Sequence, residues 1–540
     1  MTEFQNIAQT LTSMAKLVPD CPAIYFPVKK ISEDDFDYKV YSFKELDEKS
    51  HHLAKGLLEF GFTRGDRVAL MVPPSIEFFA LTFALYKAGL SIVLIDPGIG
   101  LKHLKTCLNE ASPKGFIGVA KAQWARLLFG WAKKSAKKII HVGKTAMPGF
   151  SLNDLEELGK KSMKDLGTTN SNEIAAILFT SGSTGTPKGA VYSHKNFLTQ
   201  IARLKELYQI TPGEMDLPTF PLFALFNPAL GMTSVIPFMN FSTPAKVNPK
   251  YLVRAIERFK ISNMFGSPAL MNVLSRYCEK NSIELKTLKR VSSAGAPVQL
   301  KIIHRLQKIF SPETLIYTPY GATESLPVSI AEGREIVKNW QKNTQGAGIF
   351  VGDIIPHTDV QIIKIIDEAI EEIRDDLFLK PGEVGEIIVR ADQVTRSYFN
   401  RESATKLAKI KDGNTFWHRV GDLGYFDDKK QLWFCGRKSH RVGNLYSECI
   451  EGIFNAHENV KRSALVGVSQ QNKLIPVICL ELEDVSLREQ TLLEVKEIAK
   501  NFSQTSDIKY FLIHPDFPVD IRHNAKIFRE KLAIWAKDKI

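Results

Sequence analysis

Residues 180–189 read TSGSTGTPKG: five hydroxyls, three glycines and one lysine in ten positions. An apolar run, EIAAILFT at residues 173–180, leads into this segment and is expected to be a strand. Gly182 and Gly185 let backbone N–H groups turn toward an anion, and the hydroxyls of Thr180, Ser181, Ser183 and Thr184 add donors. Lys188 adds a positive charge. The chemistry this composition favours is the cradling of a polyphosphate. It is not the Walker arrangement, which needs GxxxxGKS or GxxxxGKT entering a helix; here Lys188 is followed by Gly189. The isolated GKT at residues 143–145 lacks the upstream glycine and is set aside. A Ser/Gly-rich loop is also a common surface turn, but the strand feeding it directly argues for a ligand loop.

A chain of 540 residues is too long for one hydrophobic core and suggests about two to four structural units. With 44% hydrophobic and 24% charged residues it reads as an ordinary soluble globular protein, not a disordered or fibrous one. Lys and Arg exceed Asp and Glu by 71 − 59 = 12. Spread along the chain, this excess serves solubility or attraction to anionic partners. Its basic residues are not interleaved with aromatics in the manner of a nucleic-acid module, so no nucleic acid is expected. One cluster stands apart: LLFGWAKKSAKK at residues 127–138 reads as an amphipathic helix, on the protein's own rim or in peripheral contact with an anionic membrane.

Six cysteines (Cys21, Cys107, Cys278, Cys435, Cys449, Cys479) form no CxxC pair. This argues against a disulfide framework or a zinc site and for a reducing, cytoplasmic setting. The N-terminal MTEFQNIAQTL lacks the pattern of a signal peptide. Residues 78–95, FFALTFALYKAGLSIVLI, imitate a membrane span, but Lys87 and Gly89 interrupt it. The segment reads as a buried helix followed by a buried strand.

Helical spacing at residues 43–60 and 76–88 alternates with short apolar strands at 66–72, 91–95, 115–120, 137–143, 262–267, 291–295 and 314–321. This is the rhythm of a mostly parallel sheet covered by helices, in which ligands bind beyond the carboxyl ends of the strands. After about residue 343 short β-rich segments take over, at 360–367, 382–390, 431–438 and 440–445. From about residue 460 a compact α+β pattern with a charged helix at 487–502 takes their place, and GRKSHRV at 436–442 reads as a linker. The expected fold is α/β: a large N-terminal domain, residues 1–436, of mostly parallel sheets flanked by helices with a small β subdomain, and a small mobile α+β C-terminal domain, residues 437–540.

The loop at 180–189 resembles the phosphate loop of the AMP-forming adenylating enzymes, the superfamily of acyl-CoA synthetases, peptide-synthetase adenylation domains and luciferases. Further segments resemble theirs in the family's order: SSAGAP (292–297), YGATES (320–325), HRVGDLGYFD (418–427), GRK (436–438) and NAKIFREKL (524–532). The resemblance covers essentially the whole chain. It implies ATP and Mg²⁺ as cofactors. It assigns Thr180, Ser181, Gly182, Ser183, Thr184, Gly185 and Lys188 to the β- and γ-phosphates, and Gly295 and Ala296 to the adenine side. Tyr320 would stack on adenine with Gly321 beside it in the nucleotide site, Thr323 would meet the α-phosphate, and Glu324 with Thr184 would hold Mg²⁺. Asp422 would accept the ribose hydroxyls, Arg437 would add a ribose or phosphate contact, and Lys526 would bridge the carboxylate and the α-phosphate.

Three departures from acyl-CoA synthetases bear on the step after adenylation. Ala224 stands where a histidine is usual, in FPLFALF. The run GRKSHRVGNLYSE has Ser439 and His440 where an acidic residue is common, and only Gly443 where a glycine pair is. Ala525, not glycine, precedes Lys526. Residues 217–231, 265–271, 318–328 and above all 514–536 are similar to the olefin β-lactone synthetases of head-to-head hydrocarbon biosynthesis. That similarity implies a long-chain 2-alkyl-3-hydroxy fatty acid as substrate, its adenylation, attack by its own hydroxyl to close a four-membered lactone, and other enzymes of the hydrocarbon pathway as partners. A long-chain acyl-CoA or acyl-AMP ligase is the alternative. Phe220, Phe223, Phe226 and Met232 are candidates to line an alkyl pocket, or are ordinary core.

Overall fold

Short β-branched runs such as RVALM and SIVLI are too brief for helices and too apolar for edges, so they pair inside a helix-covered parallel sheet. In the computed structural model, residues 4–96, 99–145, 147, 149–180, 187–470, 473–519 and 527–540 are described. Seven strands form the first sheet, in the order Phe150–Ser151, Lys138–Val142, Gly115–Val119, Arg67–Met71, Ser91–Ile95, Ile174–Thr180 and Lys188–Ser193. All neighbours are parallel except the last two, which form an antiparallel hairpin around residues 181–187.

The membrane-like run resolves as expected, into helix Ile76–Lys87 and strand Ser91–Ile95. Apart from Glu77, the helix is buried from Ile76 through Tyr86. Lys87 is tolerated there because helix Phe43–Glu59 supplies a partner: its ammonium donates to Asp47 Oδ1 at 2.7 Å and to the Asp47 carbonyl at 2.8 Å. Among the described residues no helix is long and apolar enough to cross a membrane.

A second sheet has fourteen strands. Its parallel part runs through Thr233–Val235, Met215–Pro218, Asn263–Phe265, Arg290–Ser292 and Leu315–Ala322. Ser325–Glu332 then reverses direction, and Ile349–Ile354, Leu432–Arg437, Thr415–Phe426, Gly385–Arg390 and Asp359–Ile363 continue it antiparallel. The β-rich unit expected after residue 343 is therefore hydrogen-bonded to the parallel sheet without a break. A separate three-stranded sheet, Val460–Gln470, Lys473–Leu482 and Tyr510–Ile513, packs with helices Ser447–Phe454, Arg488–Lys500 and Arg529–Lys537. Its two faces bury Leu465 and Ile478 on one side, Val466 and Leu532 on the other.

Two expectations fail. Residues 440–445 do not form a strand: a 3₁₀ turn, Lys438–His440, is succeeded by a single bridge between Val442 and Leu445. Gly443, at φ 60°, turns the chain back on itself so that Val442 and Leu445 bond only to each other across the turn, at 3.0 Å in each direction. The helix read at 127–138 begins earlier and ends earlier, at Ala120–Phe129, because Gly130 adopts the left-handed conformation that stops it (φ 65°).

Candidate active site

The hairpin Ile174–Thr180/Lys188–Ser193 sets Thr180 directly opposite Lys188. Ser181, Gly182, Ser183, Thr184 and Gly185 lie outside the described residues, as does Lys526. Residues 397–399 run along this hairpin, with Val191 N donating to the Ser397 carbonyl at 3.1 Å and Phe399 N to that of Gly189 at 2.8 Å. This places the Tyr398 ring 5.2 Å from the Lys188 ammonium.

Strands Leu315–Ala322 and Ser325–Glu332 meet in a second hairpin whose two-residue turn is Thr323-Glu324. The turn is tight enough that only glycine fits at position 321: a Cβ there would sit 2.6 Å from the Ser325 carbonyl oxygen. The tip is clasped from two sides. The Tyr192 phenol donates to the Thr323 carbonyl, and Thr395 N donates to the Glu324 carbonyl at 2.9 Å. The Glu324 carboxylate accepts the Tyr398 phenol at 2.5 Å. Burial, and then the charge of Glu324, push the Tyr398 phenol far up, so it stays a donor.

Beneath the tip lies a lysine that no motif marks. Lys409 donates to the Thr395 carbonyl and stands 3.1 Å from His418 Nδ1. Burial pushes its ammonium down to about 7, although Glu324 pulls the other way. Burial, with Lys409 beside it, holds the His418 imidazole neutral.

On the other flank, Asp422 and Arg437 are opposite one another on paired strands. Arg437 Nη1 donates to Asp422 Oδ1 at 2.6 Å, and the Tyr320 phenol donates to Asp422 Oδ2 at 2.8 Å. Asp422 raises the affinity of Arg437 for its proton still further. Gly295 and Ala296 lie in the loop after strand Arg290–Ser292. A single cavity of about 3950 Å³ is lined by Lys188, Gly295, Ala296, Tyr320, Gly321, Thr323, Glu324, Asp422 and Arg437. Ile527, Phe528 and Arg529 reach the same cavity. Arg529 is anchored by the Glu451 carboxylate, 2.7 Å to each oxygen.

The cavity continues into an apolar section walled by Phe220, Phe223 and Phe226, with the Phe223 ring edge-on to Phe265 at 4.7 Å. Met232 does not line it; at 4% exposure it packs into the core around the first sheet. Ala224 is fully buried.

A cationic hairpin, an acidic hairpin tip and a Tyr–Asp–Arg cluster thus converge on one cavity. A family model described as "AMP-binding enzyme" matches residues 12–399. The chain belongs to the AMP-binding enzyme family. As such it is an AMP-forming ligase. Two relatives align over nearly the full length of both partners, 99% of this chain and 98% of theirs. They are the olefin beta-lactone synthetases of Xanthomonas campestris pv. campestris, at 45% identity, and of Stenotrophomonas maltophilia, at 44%. The amide bond synthetase McbA of Marinactinospora thermotolerans shares the fold, with a TM-score of 0.79 at 19% identity over 98% of this chain and 99% of that one.

In this AMP-binding enzyme Tyr192, Tyr398 and Lys409 escape sequence reasoning because their partners are 131, 74 and 14 positions away, with no motif spacing to betray them. The one available signal is at Lys409, a lysine flanked by apolar residues in LAKI.

Proposed function

We propose that this chain adenylates a long-chain fatty acid with ATP, releasing pyrophosphate, and that its substrate is a 2-alkyl-3-hydroxyalkanoic acid which it closes to a β-lactone with release of AMP. The observation that carries the reading is one cavity holding a polar nucleotide end and an aromatic, apolar end. The lactone step is supported by the likeness to enzymes named for that product and by Ala224, whose methyl group offers nothing to a thiol-bearing second substrate.

Adenylation joins a carboxylate oxygen to the α-phosphorus while the bond to pyrophosphate breaks, an anion meeting an anion, so positioning and charge neutralisation dominate. Lys188 and residues 180–185 are assigned to the β- and γ-phosphates. Thr323 is assigned to the α-phosphate, Gly295, Ala296, Tyr320 and Gly321 to the adenine, and Asp422 and Arg437 to the ribose. Lys526 is assigned to drawing carboxylate and α-phosphate together, a role supported by its neighbours Ile527 to Arg529 reaching the cavity. In the second step the substrate's own hydroxyl attacks the acyl carbon and expels AMP. The reaction is intramolecular, so aligning the two groups is the enzyme's main contribution.

Mg²⁺ typically binds through one or two carboxylates plus substrate phosphates and water. The site fits that habit: Glu324 presents a carboxylate to the cavity, and no cluster of three acidic, His or Cys ligands exists among the described residues. Glu324 with Thr184 would hold the ion, which would offset phosphate charge. The division at residues 436/437 is proposed as the boundary between a large domain and a small mobile one. A cytoplasmic location is supported by six cysteines free of disulfides.

The test is incubation with ATP, Mg²⁺ and a long-chain 2-alkyl-3-hydroxy acid in the absence of CoA, with the products read by mass spectrometry. Lactone and AMP are expected. Turnover only after CoA is added, with a thioester product, would replace this reading by an acyl-CoA ligase.

A further inference from the structure

We infer that helix Ala120–Phe129 and the turn after it form a docking surface for an anionic lipid bilayer. The helix is amphipathic in an unusual sense. Its inner side is fixed to the sheet: Gln123 is fully buried and donates to the Ile140 carbonyl at 2.9 Å. Its outer side carries Trp124, Leu127 and Leu128, exposed to 61%, 53% and 80%. Three large apolar side chains on consecutive turns of one exposed face are not what solubility would select.

The chain around them is charged with one sign. From residue 111 to residue 153 there are eight Lys and Arg and no Asp or Glu. Gly130 ends the helix and Trp131 turns back into the core, stacked on Phe129 at 5.8 Å. That reversal throws Lys133, Lys134 and Lys137 outward beside the apolar tips, while Lys121 is exposed on the first turn. The neighbouring helix Leu101–Ala111 starts with an exposed leucine, Leu101, and continues with exposed Lys102 and Lys105. Apolar tips ringed by long cationic side chains match the boundary between acyl chains and anionic headgroups, where the tips are buried and the ammonium groups stay at the phosphate level. A protein partner would more often pair such a ring with carboxylates of its own and would not require the apolar tips to be surrounded by one charge.

Ala122 and Ala125, on the inner side of the same helix, line the large cavity, as does Leu101. Docking through this face therefore sets the cavity wall against the bilayer.

The full chain is sedimented with phosphatidylcholine vesicles with and without phosphatidylglycerol. Binding is expected only with phosphatidylglycerol, weakened by high salt. Leu128→Glu and the pair Lys133→Glu/Lys134→Glu should each weaken it by about tenfold or more, with unchanged melting temperature and pyrophosphate exchange. Trp124→Phe should remove a blue shift of tryptophan emission on binding. Equal partitioning of wild type and Leu128→Glu, or absence of vesicle binding by wild type, would overturn the inference. So would self-association abolished by Leu128→Glu without lipid binding, which would make the face a protein interface.

Discussion

Lys409 and Glu324 are the residues whose chemistry depends most on their surroundings. An ammonium held down to about 7 gives up much of its charge toward the upper end of the physiological range, which removes one positive neighbour of the Glu324 carboxylate and leaves Arg437 as another. The same displacement couples folding to pH. Between about 7 and the ordinary 10.5 the unfolded chain holds a proton on Lys409 that the folded chain has released. The unfolded state then binds more protons, so stability rises with pH across that window. Wild type should gain melting temperature between neutral and alkaline pH relative to Lys409→Met, in which this contribution is erased. Parallel pH profiles for the two proteins would show that the lysine keeps its charge in the fold.

The acidic tip is an element whose geometry a single methyl group can break, at a glycine that itself lines the cavity. Adding one methyl at Gly321 drives a Cβ to 2.6 Å from the Ser325 oxygen, so the hairpin must open. Gly321→Ala should cost about 1–3 kcal/mol of stability by overpacking, and should depress pyrophosphate exchange beyond what that loss explains, by swinging Glu324 away from Tyr398. Much of this level was legible in the sequence. Strands at 91–95, 115–120 and 314–321 appear where short apolar runs are bounded by Asp-Pro-Gly, by a helix start and by Gly321, because period and punctuation are local properties. What was not legible is what holds elements to each other. Nothing local in RSYF says that Tyr398 crosses to Glu324, and nothing in WARLLFGWAKK says that Trp131 points in while Trp124 points out. Apolar residues at 220, 223, 226 and 232 look alike in a sequence; only packing separates cavity wall from core at Met232.

At the scale of the molecule, the crossing near residue 436 is held by close packing and by charge. Gly436 (φ 123°) lets strand Leu432–Arg437 approach helix Ser447–Phe454, where a Cβ would meet Ser447 Oγ at 2.2 Å. Just beyond it, Lys438 bonds Glu386 at 3.2 Å and Arg441 bonds Asp367 at 2.6 Å. Gly436→Ala should lower stability by about 1–3 kcal/mol and split thermal unfolding into two transitions, read by calorimetry, as the two parts lose their common contact. A single unshifted transition would mean that this contact does not couple them. Another charge has consequences before the chain has folded at all. Residues 78–95 leave the ribosome as an unbroken stretch whose only charged side chain is Lys87, and the partner that later neutralises it, Asp47, sits on a separate helix. A lysine at the centre of such a stretch costs about 2.5–3.5 kcal/mol on the scale by which translocation machinery sorts nascent segments. Replacing Lys87 with leucine would erase that penalty and remove the ammonium that Asp47 accepts from, so the one side chain bears both on the finished fold and on how closely this stretch resembles a membrane span.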